Sequence, residues 1–258
     1  MGIIGSYIYY LFNAKSSHGI HSPFVYKFIE EYLSKDIAPL ISSPIENIRR
    51  QLLNDSTEID YLDFGAGSKI IRKPKPSIRS LARASLKPKK YAVLIAKLAQ
   101  YINAQNIIEL GTSLGTTTLY LSKLNPQAKI YTIEASAAIS NIAQTQFDKL
   151  DAKNIKLIRG NFDKEYPLLL KKIERPDLIF IDGNHTYEAT IRYFNIGLEY
   201  AHKETIFVFD DINWSNEMKK AWNEIKNHSK TTISLDFFYL GVVSLNTDFS
   251  KEDLLIRY

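Results

Sequence analysis

The residues best placed to do chemistry are two groups of acids, each closing an apolar run. Glu109 and Glu134 frame a glycine turn in Ile107-Ile-Glu-Leu-Gly-Thr-Ser-Leu-Gly-Thr-Thr-Thr-Leu-Tyr-Leu-Ser122 and Tyr131-Thr-Ile-Glu134, while Asp182, Asp210 and Asp211 end Asp177-Leu-Ile-Phe-Ile-Asp182 and Phe207-Val-Phe-Asp210-Asp211. The first group reads as strand, turn, helix and second strand. Gly111 and Gly115 let the backbone turn and approach a ligand, because a Cβ at either place would take the ligand's space. Thr112, Ser113, Thr116 and Thr117 offer N–H and O–H donors at the helix start. Glu134 stands where two carboxylate oxygens take both ribose hydroxyls, the role of an acid about 20 residues after a dinucleotide fingerprint. The expected ligand is an adenosine-containing cofactor.

The glycine pattern narrows the choice. A nicotinamide fold needs G-x-G-x-x-G to press backbone against a pyrophosphate, whereas this pattern is E-x-G-x-x-x-G with no middle glycine. Glu109 inside the strand end repels a pyrophosphate and attracts an ammonium or sulfonium. That combination points to S-adenosylmethionine, and over roughly residues 90 to 245 the chain resembles the class I S-adenosylmethionine-dependent methyltransferases, in particular the small-molecule, catechol-type O-methyltransferases.

The resemblance implies a set of roles. Asp182, at the end of the fourth strand, and the Asp210–Asp211 pair, after the fifth, match the family's Mg²⁺ positions, with Asp211 where the catechol pattern has Asn. Oxygen ligands suit such a hard cation. Asp182 is also expected to touch the cofactor. His185 occupies the place of the family's proton-accepting lysine, and histidine titrates near neutral pH. Gly160-Asn161-Phe162-Asp163 follows the third strand, where Asn161 is expected on the adenine edge and Phe162 on its face, with Ala135 and Ser136 lining the same pocket. Structural roles compete with each assignment: Asp182 and Asp210 as helix caps, Asp211 capping a helix over 215–226, His185 as a helix-start residue, Phe162, Tyr187 and Trp214 as core. His18 and His21 are weaker candidates.

The elements that must position these residues follow from periodicity. Strands are expected at 106–110, 129–134, 154–159, 177–182, 205–210, 231–236 and 239–245, separated by amphipathic helices up to the last pair. Strict alternation indicates a doubly wound α/β fold. With the family's closing antiparallel strand, the expectation is a seven-stranded, mostly parallel sheet of order 3-2-1-4-5-7-6 with strand 7 antiparallel. An N-terminal helical cap and basic lid are expected over 1–89, and the S-adenosylmethionine-binding domain over 90–258. In the cap, Ser22 reads as an N-cap before Pro23, with Phe24, Phe28, Ile29 and Tyr32 on one face, and a short helix covers Ile45 to Leu53. Tyr61-Leu-Asp-Phe-Gly-Ala-Gly-Ser68 mimics a first motif, but Arg72-Lys-Pro-Lys-Pro76 follows it instead of a helix, so it reads as a turn from which Asp63 and Ser68 can reach the site.

Composition agrees with a folded enzyme: of 258 residues, 45% are hydrophobic and 24% charged. The absence of cysteine excludes disulfides, thiolate catalysis and cysteine-ligated metal centres. From Phe64 to Ile108 there are ten Lys or Arg and no acid, so the overall charge of +5 comes from that segment. It reads as a solvated lid, with an anion-binding role for 69–97 as the competitor. The apolar run Ile3 to Phe12 is too short to span a bilayer and lacks a basic signal flank, which gives a cytoplasmic expectation with no transmembrane segment. The expected partner is a small-molecule methyl acceptor rather than nucleic acid; a homodimer is left open. An aminopropyl transferase, an NAD oxidoreductase and a non-catalytic binding module are the competing functions.

Overall fold

Apolar runs whose every residue is buried make the middle strands, and acids sit where those runs stop. The computed structural model describes residues 3–16, 19–60 and 75–258. In chain order these form α1 (Ile3–Asn13), α2 (Pro23–Lys27) continuing into a π-helical segment (Phe28–Leu33), α3 (Pro39–Asn54), α4 (Ile78–Ser85) and α5 (Lys89–Tyr101). Then alternate β1 (Asn106–Leu110), α6 (Thr116–Leu124), β2 (Lys129–Glu134), α7 (Ala137–Lys149), β3 (Ile155–Arg159), α8 (Phe162–Ile173), β4 (Leu178–Ile181), α9 (Tyr187–Leu198), β5 (Ile206–Asp210) and α10 (Asn216–Asn227). Three strands close the chain: β6 (Ile233–Asp236), β7 (Leu240–Ser244) and β8 (Glu252–Leu255).

The sheet is mostly parallel, of order β3-β2-β1-β4-β5-β7-β6-β8, with β7 antiparallel to β5 and β6. This contains the expected seven-stranded order and adds an eighth strand. β8 pairs in parallel with β6, Ile233 opposite Glu252 and Leu235 opposite Leu254. It escaped the sequence reading because Glu252 and Asp253 take half of its four residues. Those acids suit a sheet edge: Asp253 accepts hydrogen bonds from Ser234 Oγ and Lys226 Nζ, both at 2.7 Å.

The chain divides into two compact units, Asp36–Leu169 and Met1–Lys35 with Leu170–Tyr258. In the first, β1 and β2 run in register, Glu109 beside Thr132, and β2 pairs with β3, Glu134 beside Arg159. α5 is buried from Tyr91 through Ala99, including Lys97. α3 starts with Pro39 at its first turn and buries Ile45, Ile48 and Leu52 at helical spacing. In the second unit β4 and β5 are buried along their whole length, the mark of strands covered on both faces. Phe194 of α9 packs edge-on against Phe207 and Phe209 of β5, with centroids 5.1 and 5.7 Å away.

At α2 the expectation held in position and failed in detail. Pro23 is in the first turn as expected, but Ser22 is buried and its side chain makes no capping bond. The fully buried residues are Val25 and Phe28, three apart, while Phe24, Ile29 and Tyr32 are only partly buried. Tyr61 to Ser68, with its Asp63, and His18 lie outside the described residues. Among the described residues no helix is long and apolar enough to cross a membrane.

Candidate active site

In the unit Asp36–Leu169 the glycine turn is built from three residues with positive φ: Gly111 (108°), Ser113 (47°) and Gly115 (82°). The N–H groups of Gly111 and Thr112 both donate to the carbonyl of Ile133, at 3.0 and 3.2 Å, which ties the turn to the end of β2. Glu134 is held there by two backbone N–H donors, Ser113 to Oε2 at 3.1 Å and Ser136 to Oε1 at 2.9 Å. The acid after the second strand therefore stands beside the turn, as its spacing required.

Gly115 needs its glycine for a different reason from the one expected. A Cβ there would come within 2.6 Å of the Phe147 ring of α7, so the space is filled by the protein's own core rather than kept for a ligand. As N-cap of α6 it also adopts the left-handed conformation that favours glycine. Sequence cannot show this, because Phe147 lies far along the chain from the turn.

The threonine hydroxyls near the turn point inward, while the Ser113–Ser85 pair is at the surface. Thr112 Oγ1 pairs with Thr132 Oγ1 at 2.6 Å, Ser113 Oγ pairs with Ser85 Oγ at 2.9 Å, and Thr116 and Thr117 are buried. Glu109 is wholly buried: Oε2 accepts from Thr118 and Thr132 hydroxyls at 2.5 and 2.7 Å, while Oε1 has no hydrogen-bond partner among the described residues. Burial pushes its pKa up to about 7, against the two hydroxyls and the positive charge of Lys87. Lys87 is itself nearly buried and was read from sequence only as part of the basic segment. With Lys97 also inside, the described cations between residues 75 and 97 do not form one exposed stripe. Strand register was the available signal for the rest, since Thr132 lies directly opposite Glu109.

Around the turn, Ala135 is half-buried, and Ser136 caps α7 through its side chain, accepting from Ile139 N at 3.4 Å. Asn161 is exposed and caps α8, its Oδ1 accepting from Asp163 N at 2.7 Å. Phe162 is partly exposed.

The second unit gathers the other group. Asp182, His185 and Asp210 each bring a donor atom within 4.8 Å of the others. His185 Nε2 lies 3.9 Å from Asp182 Oδ1 and 4.0 Å from Asp211 Oδ2. Asp210 is buried, while Asp182, Asp211 and His185 are partly open. Asp211 has a positive φ of 54°, and the residue capping α10 is Ser215, which accepts from Met218 N at 3.1 Å. His185 likewise precedes the cap of α9, since Thr186 fills that place. Two carboxylates and an imidazole this close suit a divalent cation, so the residues present fit one.

Trp214 is exposed on the loop after β5, and Tyr187 is held by its hydroxyl on Glu224 with Lys220 Nζ 4.0 Å from its ring centre. His21 is exposed and takes no part in the cluster.

Comparison with known proteins adds an independent line. A family model described as a methyltransferase domain matches residues 108–212. A catechol O-methyltransferase of Niastella koreensis is 28% identical over 118 residues, 45% of this chain and 52% of that enzyme. An uncharacterised protein of Acanthamoeba polyphaga mimivirus is 36% identical over 71 residues, 26% of this chain and 32% of its own length. The chain thus spans about a third to a half of the curated relatives it matches. Among solved structures, an S-adenosylhomocysteine-bound methyltransferase of Podospora anserina has a TM-score of 0.59 at 15% identity, covering 87% of this chain and 97% of that one. The family match starts inside β1 and ends just past Asp210 and Asp211, and so takes in both groups of acids. Residues 108–212 thus match a methyltransferase domain, and the fold is similar to that of the Podospora methyltransferase.

Proposed function

We propose that the protein transfers the methyl group of S-adenosylmethionine to an oxygen of a small molecule. The observation that carries the donor assignment is Glu134, fixed by two backbone N–H groups beside the glycine turn, where an acid binding ribose hydroxyls stands. Asn161 and Phe162 supply an edge and a face for adenine. The names of the Niastella and Podospora proteins support both a methyl donor and an oxygen acceptor.

In this reaction a methyl group leaves sulfur for oxygen in one displacement, and the acceptor hydroxyl loses its proton. No covalent enzyme intermediate forms, so the chain contributes chiefly by aligning the reactants. His185 takes the proton at its imidazole. Asp182, Asp210 and Asp211 would hold Mg²⁺, which when bound lowers the acceptor's affinity for its proton. The grouping of His185 with Asp182 and Asp210 favours a second reading, in which His185 is itself a ligand.

One calorimetric titration tests the core of the proposal: S-adenosylmethionine and S-adenosylhomocysteine bind, whereas tight binding of NAD alone overturns it. His185→Ala is expected to lower turnover by about 10²-fold or more. Measured Mg²⁺ affinity separates its two roles, unchanged for a base and weakened for a ligand. Asp182→Ala should lose turnover with donor binding retained, and full activity after EDTA treatment removes the metal from the scheme.

A further inference from the structure

Helix α1, Ile3-Ile-Gly-Ser-Tyr-Ile-Tyr-Tyr-Leu-Phe-Asn13, contains no charged residue. One side of it is packed. Tyr10 is buried with its hydroxyl donating to the Ile256 carbonyl at 2.5 Å, and the rings of Tyr7 and Tyr10 lie 4.8 and 5.4 Å from Phe238. The remainder faces outward: Ile4 is 76%, Ile8 50% and Phe12 83% exposed, with Ile3, Tyr9 and Leu11 open beside them. At about 100° per residue these side chains cover more than half of the helix circumference. That is wider than the narrow seam shared by two coiled helices.

The border of this patch is basic and aromatic. Residues 1–29 contain no Asp or Glu, and Lys15 follows the helix. Two further cations are fixed alongside it, Lys219 Nζ donating to Ser6 Oγ at 2.7 Å and Arg257 Nη2 to the Leu11 carbonyl at 2.8 Å. Tyr239, whose ring is 5.0 Å from Phe238, is exposed next to the helix. Trp214, 67% exposed, sits on the loop whose Asn213 donates to the Phe238 carbonyl at 2.8 Å. Tyrosine and tryptophan join an apolar body to a polar tip, which suits the boundary between headgroups and acyl chains.

We propose that α1, with Trp214 and Tyr239, is a docking surface for an anionic lipid bilayer. The helix lies in the interfacial plane, Ile4, Ile8 and Phe12 enter the acyl region, and Lys15, Lys219 and Arg257 meet the headgroups. Apolar area supplies the binding and the cations supply the preference for anionic lipid. A second copy of the chain is the competing occupant. It is disfavoured because a two-fold contact sets the same cations against each other, and like charges repel.

Sedimentation of the full chain with vesicles tests this, using phosphatidylcholine alone and phosphatidylcholine with a third phosphatidylglycerol. Binding to the anionic vesicles is expected, falling about tenfold in high salt or on phosphatidylcholine alone. Ile8→Glu with Phe12→Glu should abolish binding to both while leaving the melting temperature unchanged, because both sites are exposed. Lys15→Gln with Arg257→Gln should remove only the preference for anionic lipid. Absence of vesicle binding overturns the proposal, as does equal binding to both lipids, or a concentration-dependent dimer that the Ile8/Phe12 variant abolishes in a protein that does not bind vesicles.

Discussion

Glu134 and Glu109 are both acids of one glycine turn, yet their surroundings are opposite. Glu134 accepts from two backbone N–H groups and is partly open. Replacing it by Ala should weaken S-adenosylhomocysteine binding by about tenfold or more, since charge-assisted hydrogen bonds of this kind are each worth about 1.5–3 kcal/mol; calorimetry reads the change, and unaltered affinity ends the ribose assignment. Glu109 is buried, and its pKa of about 7 exceeds the ordinary value of 4.5. A carboxyl whose folded pKa is raised contributes stability that is present at low pH and lost as pH climbs through the folded value. The cost of the charged form is about 3 kcal/mol at one pKa unit per about 1.4 kcal/mol. Glu109→Gln should therefore gain stability relative to the parent as pH rises from about 5 to about 8, measured by denaturant unfolding, and a constant difference over that range excludes the titration.

Elements decide how these residues meet. The turn between β1 and α6 is held from two directions, by the Ile133 carbonyl and by the Phe147 ring behind Gly115. Gly115→Ala combines a positive φ with a clash at 2.6 Å, so it should destabilise the protein by about 2 kcal/mol or more, within the range for such backbone strain plus overpacking. Thermal unfolding checks this, and loss of donor binding without loss of stability would falsify the packing account in favour of a ligand-contact role. β8 shows the opposite limit of sequence reading. Its acids break the apolar pattern, and only pairing with β6 and the Lys226 and Ser234 contacts make a strand of them.

For the molecule as a whole, donor binding and folding are linked, because a ligand held only by the folded chain stabilises it. S-adenosylhomocysteine at about 100 times its dissociation constant should raise unfolding free energy by about 2.7 kcal/mol, while NAD leaves it unchanged. By itself the sequence determined the alternation of strands and helices, the place of each acid at a strand end and the spacing from Gly111 to Glu134, because period-2 and period-3.6 patterns and turn glycines are local properties. Tertiary structure alone decided which of those groups are buried and which stay open. Thr112, Thr117 and Glu109 turned inward, Gly115 was claimed by Phe147, and His185 was brought within 4.8 Å of Asp182 and Asp210, since burial and proximity depend on side chains far apart in the chain.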